Sequence, residues 1–176
     1  MVPIELVRAE QKDAELIHSM KYASFLPLYN RYHDDATSPV SEPISKVVRQ
    51  LQSENSDYWL IRSAGETVGA VRIMFDGVED QKRMYRVSPL FILPEYQNRG
   101  LGYAAMMALF EKYPQADIWR LSTIKQEKGN CHLYEKCGFS ISRPEEIINE
   151  SMTIVFLSEG DIPCSPLKPH AFASAS

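Results

Sequence analysis

Leu90-Phe91-Ile92-Leu93-Pro94-Glu95-Tyr96-Gln97-Asn98-Arg99-Gly100-Leu101-Gly102-Tyr103 reads as an apolar strand that stops at a proline, turns, and opens directly into a helix. The first turn of a helix leaves backbone N–H groups without intrahelical acceptors and carries the positive end of the macrodipole. Gly100 and Gly102 remove side chains that would hold an anion away from those amides, which makes the turn a pyrophosphate cradle. Glycines in such a turn also serve plain chain geometry, so the flanking sequence must decide. No lysine follows Gly102, as a GTPase or ATPase phosphate loop requires. Ala105 at the third position of a Gly-x-Gly-x-x-Gly/Ala pattern is tolerated by dinucleotide folds, so that comparison rests on what lies upstream.

Upstream lie Tyr58 to Arg62 and Thr67 to Met74, two β-rich runs separated by Ser63-Ala64-Gly65-Glu66, a hairpin signal. With Arg83 to Leu93 they make three antiparallel strands, the wrong opening for a dinucleotide fold. Downstream the pattern alternates: a helix from about Gly100 to Tyr113, a strand Ile118 to Ser122, a helix from about Gly129 to Cys137, and strands Phe139 to Ser142 and Met152 to Leu157. Antiparallel strands followed by strand-helix-strand alternation predict an α/β fold with a mixed, mostly antiparallel central sheet flanked by helices.

Nearer the N-terminus, Ile4 to Arg8 reads as a short strand, and Ala14, Ile17, His18 and Lys21 give helical spacing from Ala9 to about Tyr22. Phe25 to Pro43 carries Pro27, Pro39, Pro43 and Asp34-Asp35, which predicts an irregular connection or broken helix over a site. Ser45 to Glu54 reads as a helix with Ser41 or Ser45 as N-cap. Residues 1–159 are read as one domain, and 160–176, with Pro163, Pro166 and Pro169, as a surface tail.

Composition bounds the function. Of 176 residues, 19 are basic and 23 acidic, and no basic tract would steer the chain to nucleic acid. Charges interrupt the N-terminal apolar residues and no run approaches a membrane span, so the expectation is a cytoplasmic protein without a membrane partner. Cys131, Cys137 and Cys164 lack metal-ligand spacing, so neither a disulfide framework nor a metal is expected.

Gln97-Asn98-Arg99-Gly100-Leu101-Gly102 resembles the Gln/Arg-x-x-Gly-x-Gly/Ala signature of the GNAT acetyltransferases, and Leu133-Tyr134-Glu135-Lys136-Cys137-Gly138-Phe139 resembles their Leu-Tyr-x-x-x-Gly-Phe segment. The resemblance in order of elements runs from about Ile4 to Leu157. It implies a GNAT-like fold whose central strands, Leu90 to Leu93 and Ile118 to Ser122, splay apart. It also implies acetyl-CoA as co-substrate, without a metal. The pyrophosphate would lie on amides of Asn98, Arg99, Gly100, Leu101, Gly102 and Tyr103, beside Gln97, and the pantetheine arm along Leu90, Phe91 and Ile92. Ile92 would turn its amide to the thioester.

The same resemblance makes Tyr134 the general acid for the departing thiolate; a phenol of ordinary pKa about 10 is protonated at neutral pH. Its other reading is a core aromatic. Many family members hold the pantetheine with an asparagine seven residues before that tyrosine; here the position is Glu127, and Asn130 either caps the helix, contacts the cofactor, or both. For a general base the sequence offers His33, Asp34, Asp35 and Glu42, Ser88 as the only small polar residue on the central strand, or a water relay.

The expected reaction is direct attack of an amine on the thioester in a ternary complex. Its alternatives are an inactive acyl-CoA-binding regulator and a nucleotide-binding protein using the same cradle. The tyrosines and carboxylates of Phe25 to Glu42 would suit a small cationic amine, while a protein N-terminus or lysine is also open. Dimers are common in the family, but nothing in the sequence specifies an interface.

Overall fold

The computed structural model describes residues 1–160. Seven strands form one sheet in the order β1-β2-β3-β4-β5-β7-β6. They are β1 (Glu5–Arg8), β2 (Ser56–Ser63), β3 (Glu66–Glu79), β4 (Lys82–Ile92), β5 (Ile118–Ile124), β6 (Ser140–Asn149) and β7 (Met152–Glu159). Every neighbouring pair is antiparallel except β4 and β5. Two-residue turns join β2 to β3 and β3 to β4; both central residues of each have positive φ, Ala64 and Gly65 in one, Asp80 and Gln81 in the other. Such turns match the twist of the strands they join.

Helices cover both faces. On one side α1 (Ala14–Tyr32) and α2 (Ile44–Gln52) bury Ile17, Met20, Phe25 and Val47 against Tyr58, Leu60, Ala70 and Phe91. On the other, α3 (Leu101–Lys112) and α4 (Lys128–Lys136) enclose the larger core, in which Leu101, Ala105, Met106, Leu109 and Tyr134 meet Val71, Ile73, Leu90, Ile92, Trp119 and Leu121.

Three differences from the sequence reading have physical causes. First, α1 continues to Tyr32 instead of giving way near Phe25. Phe25 stacks edge-on against Phe91 and Leu28 packs beside it, so burial holds the helix past Pro27. Pro27 and Ala23, whose carbonyl loses its N–H partner, are both exposed, which leaves that carbonyl to water. Second, β6 extends through Pro144 to Asn149. It is an edge strand, where a missing N–H on the outer side breaks no ladder, and its pairing with β7 shifts register three times. Third, α2 starts on Pro43 with no side-chain cap, so neither Ser41 nor Ser45 serves. The proposed tail lies, from residue 161, outside the described residues.

Candidate active site

The sheet opens at its centre. β4 and β5 pair only at Met84↔Ile118, Tyr85↔Trp119 and Arg86↔Arg120, although β4 runs on to Ile92 and β5 to Ile124. Beyond those rungs each strand keeps its outer partner: Leu90 to Ile92 stay on β3, and Leu121 to Ile124 stay on β7. A bulge accompanies the parting, since the register shifts where Val71 faces Leu90 and Ile73 faces Val87.

Among the described residues, the parted end of β4 has amides that no neighbouring strand takes up. Leu93 N–H donates to the Val68 carbonyl at 2.8 Å. Successive residues of a strand turn their N–H groups to opposite edges, so Phe91 shares that edge while Leu90 and Ile92 turn theirs toward the opening. Phe91 directs its ring to Phe25 on the other face. Gln97 Nε2 donates to the Ile92 carbonyl at 2.9 Å, tying the turn back to the strand.

Past Ile92 the chain makes a single 3-10 turn at Pro94–Tyr96 and enters α3 through Asn98 and Gly100, with φ of 59° and 79°. Gly100 is the N-cap, and no side chain caps the helix. Ala104 N–H bonds the Gly100 carbonyl, and among the described residues the amides from Asn98 to Tyr103 find no backbone acceptor. Those amides fit a pyrophosphate. The side chains around them are committed: Arg99 donates to the Glu95 carbonyl at 2.6 Å and lies over Tyr96, Leu101 is buried in the core, and Tyr103 sits beneath the Lys136 ammonium. Gly102 has a packing reason as well, because a Cβ there would lie 3.0 Å from Leu133 Cδ2. Its missing side chain is the room that lets α4 close on α3.

α4 ends in a Schellman turn, with Gly138 N–H on the Glu135 carbonyl, Phe139 N–H on the Tyr134 carbonyl, and Gly138 at a φ of 97°. Tyr134 is 0% exposed and meets Phe139 edge-on. Asn130 does not cap α4, whose N-cap is Glu127. Its Nδ2 is shielded from solvent without an acceptor among the described residues. Glu127 instead takes Tyr32 Oη at 2.6 Å and pairs with Arg31, docking the end of α1 on the start of α4.

Most of the proposed bases are occupied. Asp34 accepts from Ala36 N–H, Thr37 N–H and Thr37 Oγ1, and Asp35 accepts from Tyr29 Oη. Glu42 pairs with Lys21 and Lys46; burial acts to raise its carboxyl, but the two ammonium groups hold it below the ordinary range. His33 ends α1 in a left-handed conformation on the exposed surface, while Ser88 stands on β4 just beyond the last rung to β5. Burial raises the Cys131 thiol and pushes Cys137 up to about 11, so both stay protonated at neutral pH. No cluster of metal-ligating side chains occurs among the described residues, and no helix there is long and apolar enough to cross a membrane.

One candidate was not anticipated. Thr123 shares the face of Leu121 on the parted stretch of β5, and its hydroxyl is fully buried with no partner among the described residues. The signal was present as a hydroxyl among apolar neighbours, but strand alternation alone does not show that the two central strands have separated.

The central strands therefore part beside the N-terminus of α3, and comparison with known proteins identifies the family. The family model described as Acetyltransferase (GNAT) family matches residues 24–139, and the chain belongs to this family. The uncharacterized protein YrkN of Bacillus subtilis (strain 168) is 31% identical over 78 residues, 44% of this chain and 40% of that relative's length. Among solved structures, an acetyltransferase from Thermus thermophilus superposes with a TM-score of 0.66 at 18% identity, over 90% of this chain and 97% of its own. The spermidine N-acetyltransferase of Vibrio cholerae, in complex with CoA and spermine, gives 0.66 at 15% identity, over 88% and 94%. The Microcin C7 self immunity acetyltransferase MccE, in complex with acetyl-CoA and AMP, gives 0.66 at 17%, over 90% and 92%. The GNAT fold expected from the sequence is therefore the observed one.

Proposed function

We propose that the protein is an N-acetyltransferase that moves an acetyl group from acetyl-CoA to an amine, by direct attack while both are bound. The observation that carries this reading is the opening between β4 and β5 next to the ring of available amides from Asn98 to Tyr103. Those amides and the dipole of α3 would hold the pyrophosphate. The N–H groups of Leu90 and Ile92 would take the pantetheine carbonyls and the thioester oxygen, as substitutes for the strand that has moved away. Thr123 Oγ1 and Asn130 Nδ2 are buried groups that a bound pantetheine would satisfy.

When bound, acetyl-CoA supplies the activated acyl group. Tyr134, on the α3 and α4 side of the sheet, would donate its proton to the sulfur as the thiolate leaves. Asp34, Asp35 and Glu42 hold their own segment together, so we assign proton removal from the amine to water in the cleft beside Ser88. Calorimetric titration with acetyl-CoA, followed by free-thiol release across a panel of amines, tests the reading. Micromolar binding with amine-dependent release supports it, and absence of binding overturns it.

A further inference from the structure

The sheet face opposite α3 and α4 carries a row of arginines. The register aligns Met74 with Arg86 and Arg86 with Arg120, so Arg72, two residues from Met74 on β3, shares their face. The row continues over β7, where Arg120 faces Ser158 and Arg143 of β6 faces Phe156. Arg72, Arg86, Ser88 and Arg120 are all half-buried, whereas their neighbours on the opposite face, Ile73, Val87 and Leu121, are buried.

Three of the arginines have counterparts. Arg86 pairs with Asp76 at 2.7 Å, Arg120 reaches Glu79 at 3.4 Å, and the Arg143 guanidinium lies 3.4 Å over the Phe156 ring with Glu146 on the same strand. Arg72 differs. Its Nε donates to the Ser88 carbonyl at 2.7 Å, and among the described residues it has no carboxylate within ion-pair distance. Two acids act on it from farther off: Glu42, already shared by Lys21 and Lys46, and Asp76, already paired with Arg86. Directly across on β2, the Tyr58 hydroxyl is buried without an acceptor among the described residues. A guanidinium fixed by one nitrogen, whose two terminal nitrogens have no hydrogen-bond partner among the described residues, presents a fork that matches a carboxylate. Ser88 lies two residues past the last rung between β4 and β5, which puts that fork at the inner end of the cleft.

We infer that the acceptor is an amine that also carries a carboxylate, and that Arg72 receives that carboxylate while the amine reaches the cleft. The inference rests on the transferase reading above and names its substrate class. It replaces the cationic acceptor expected from the residues between Phe25 and Glu42, whose carboxylates are consumed by Thr37, Tyr29, Lys21 and Lys46. A polyamine would instead meet the arginine row as a like charge.

The test measures thiol release with the full-length protein for free amino acids, the matching amino-acid amides, phosphorylated amines and spermidine. The expected result is a kcat/KM for the free acid about 10- to 100-fold above that of its amide, the usual scale for a hydrogen bond to a charged group. Arg72→Gln should collapse that ratio toward one, mainly through KM, and Arg72→Lys should restore part of it. Calorimetry showing acetyl-CoA affinity within about threefold of wild type in both variants establishes that they are folded. Equal rates for acid and amide, or a preference for spermidine or for a phosphorylated amine, would overturn the assignment. Failure of wild type to bind acetyl-CoA would overturn the transferase reading and this inference with it.

Discussion

Placing a charge at Gly100 separates the cradle's electrostatics from its shape. A Cβ at this position would meet only Val2 Cγ2, at 3.7 Å, so a side chain fits. What it must accept is a φ of 79°, which costs an ordinary residue about 1–2 kcal/mol and less for Asn or Asp. Gly100→Asn and Gly100→Asp therefore share nearly the same shape and backbone strain and differ by one negative charge. A carboxylate roughly 6 Å from a phosphate charge costs about 3 kcal/mol at an effective dielectric of about 20, or roughly 100-fold in Kd. Calorimetric titration with acetyl-CoA should give Kd values for the two variants that differ by about that factor at low salt. The gap should narrow toward 1 M salt, where the screening length falls to about 3 Å. Affinities within about threefold of each other at low salt would mean that no phosphate sits at this helix terminus.

Tyr134→Phe should lower kcat by about 10²- to 10⁴-fold, the range for loss of a general acid, while acetyl-CoA affinity stays within about twofold; unchanged turnover would remove the tyrosine's role. Gly102→Ala presses a Cβ against Leu133 and should forfeit the gain of about 1 kcal/mol that Gly→Ala ordinarily gives inside a helix, read as a Tm that fails to rise, with Leu133→Ala in the same chain restoring a positive effect of the alanine; the full gain in wild-type background would refute the packing account. Glu42→Gln leaves Lys21, only 3% exposed, without its carboxylate and should cost about 3 kcal/mol near neutral pH. Because the Glu42 carboxyl is lowered on folding, its contribution is present above its ordinary 4.5 and is lost as pH falls through the folded value. The advantage of wild type over Glu42→Gln in urea denaturation should shrink in acid, and an advantage constant from neutral pH into strong acid would contradict this.

The strand-to-helix turn at Leu90 to Tyr103 was legible because every signal in it is local: an apolar run, a stopping proline, glycines and a helix pattern. The hairpin at Ala64-Gly65 was legible for the same reason. α1 was cut short because Pro27 is a local breaker, while what keeps the helix going is the long-range contact of Phe25 with Phe91. β6 was shortened at Pro144 because nothing local says that it lies at an edge. The arginine row was invisible for a stronger reason. Arg72, Arg86, Arg120 and Arg143 belong to four strands, and only cross-strand register brings them to one face.

The two sequence motifs are also less independent than their spacing implies. Gly102 belongs to the cradle, and Leu133 immediately precedes Tyr134, yet the missing Cβ of one is filled by the side chain of the other. The helix proposed to hold the pyrophosphate and the helix that carries the proposed acid are thus set against each other here, as they are where Lys136 lies over Tyr103. A larger residue at 102 would push α4 outward, and Tyr134 with it, even if the amides from Asn98 to Tyr103 kept their positions. Glu127 adds a second constraint at the other end of α4, where Tyr32 and Arg31 tie it to α1. Tyr134 is therefore placed by contacts from both faces of the sheet, so that the proposed cofactor cradle and α1 on the opposite face together fix the position of the proposed acid.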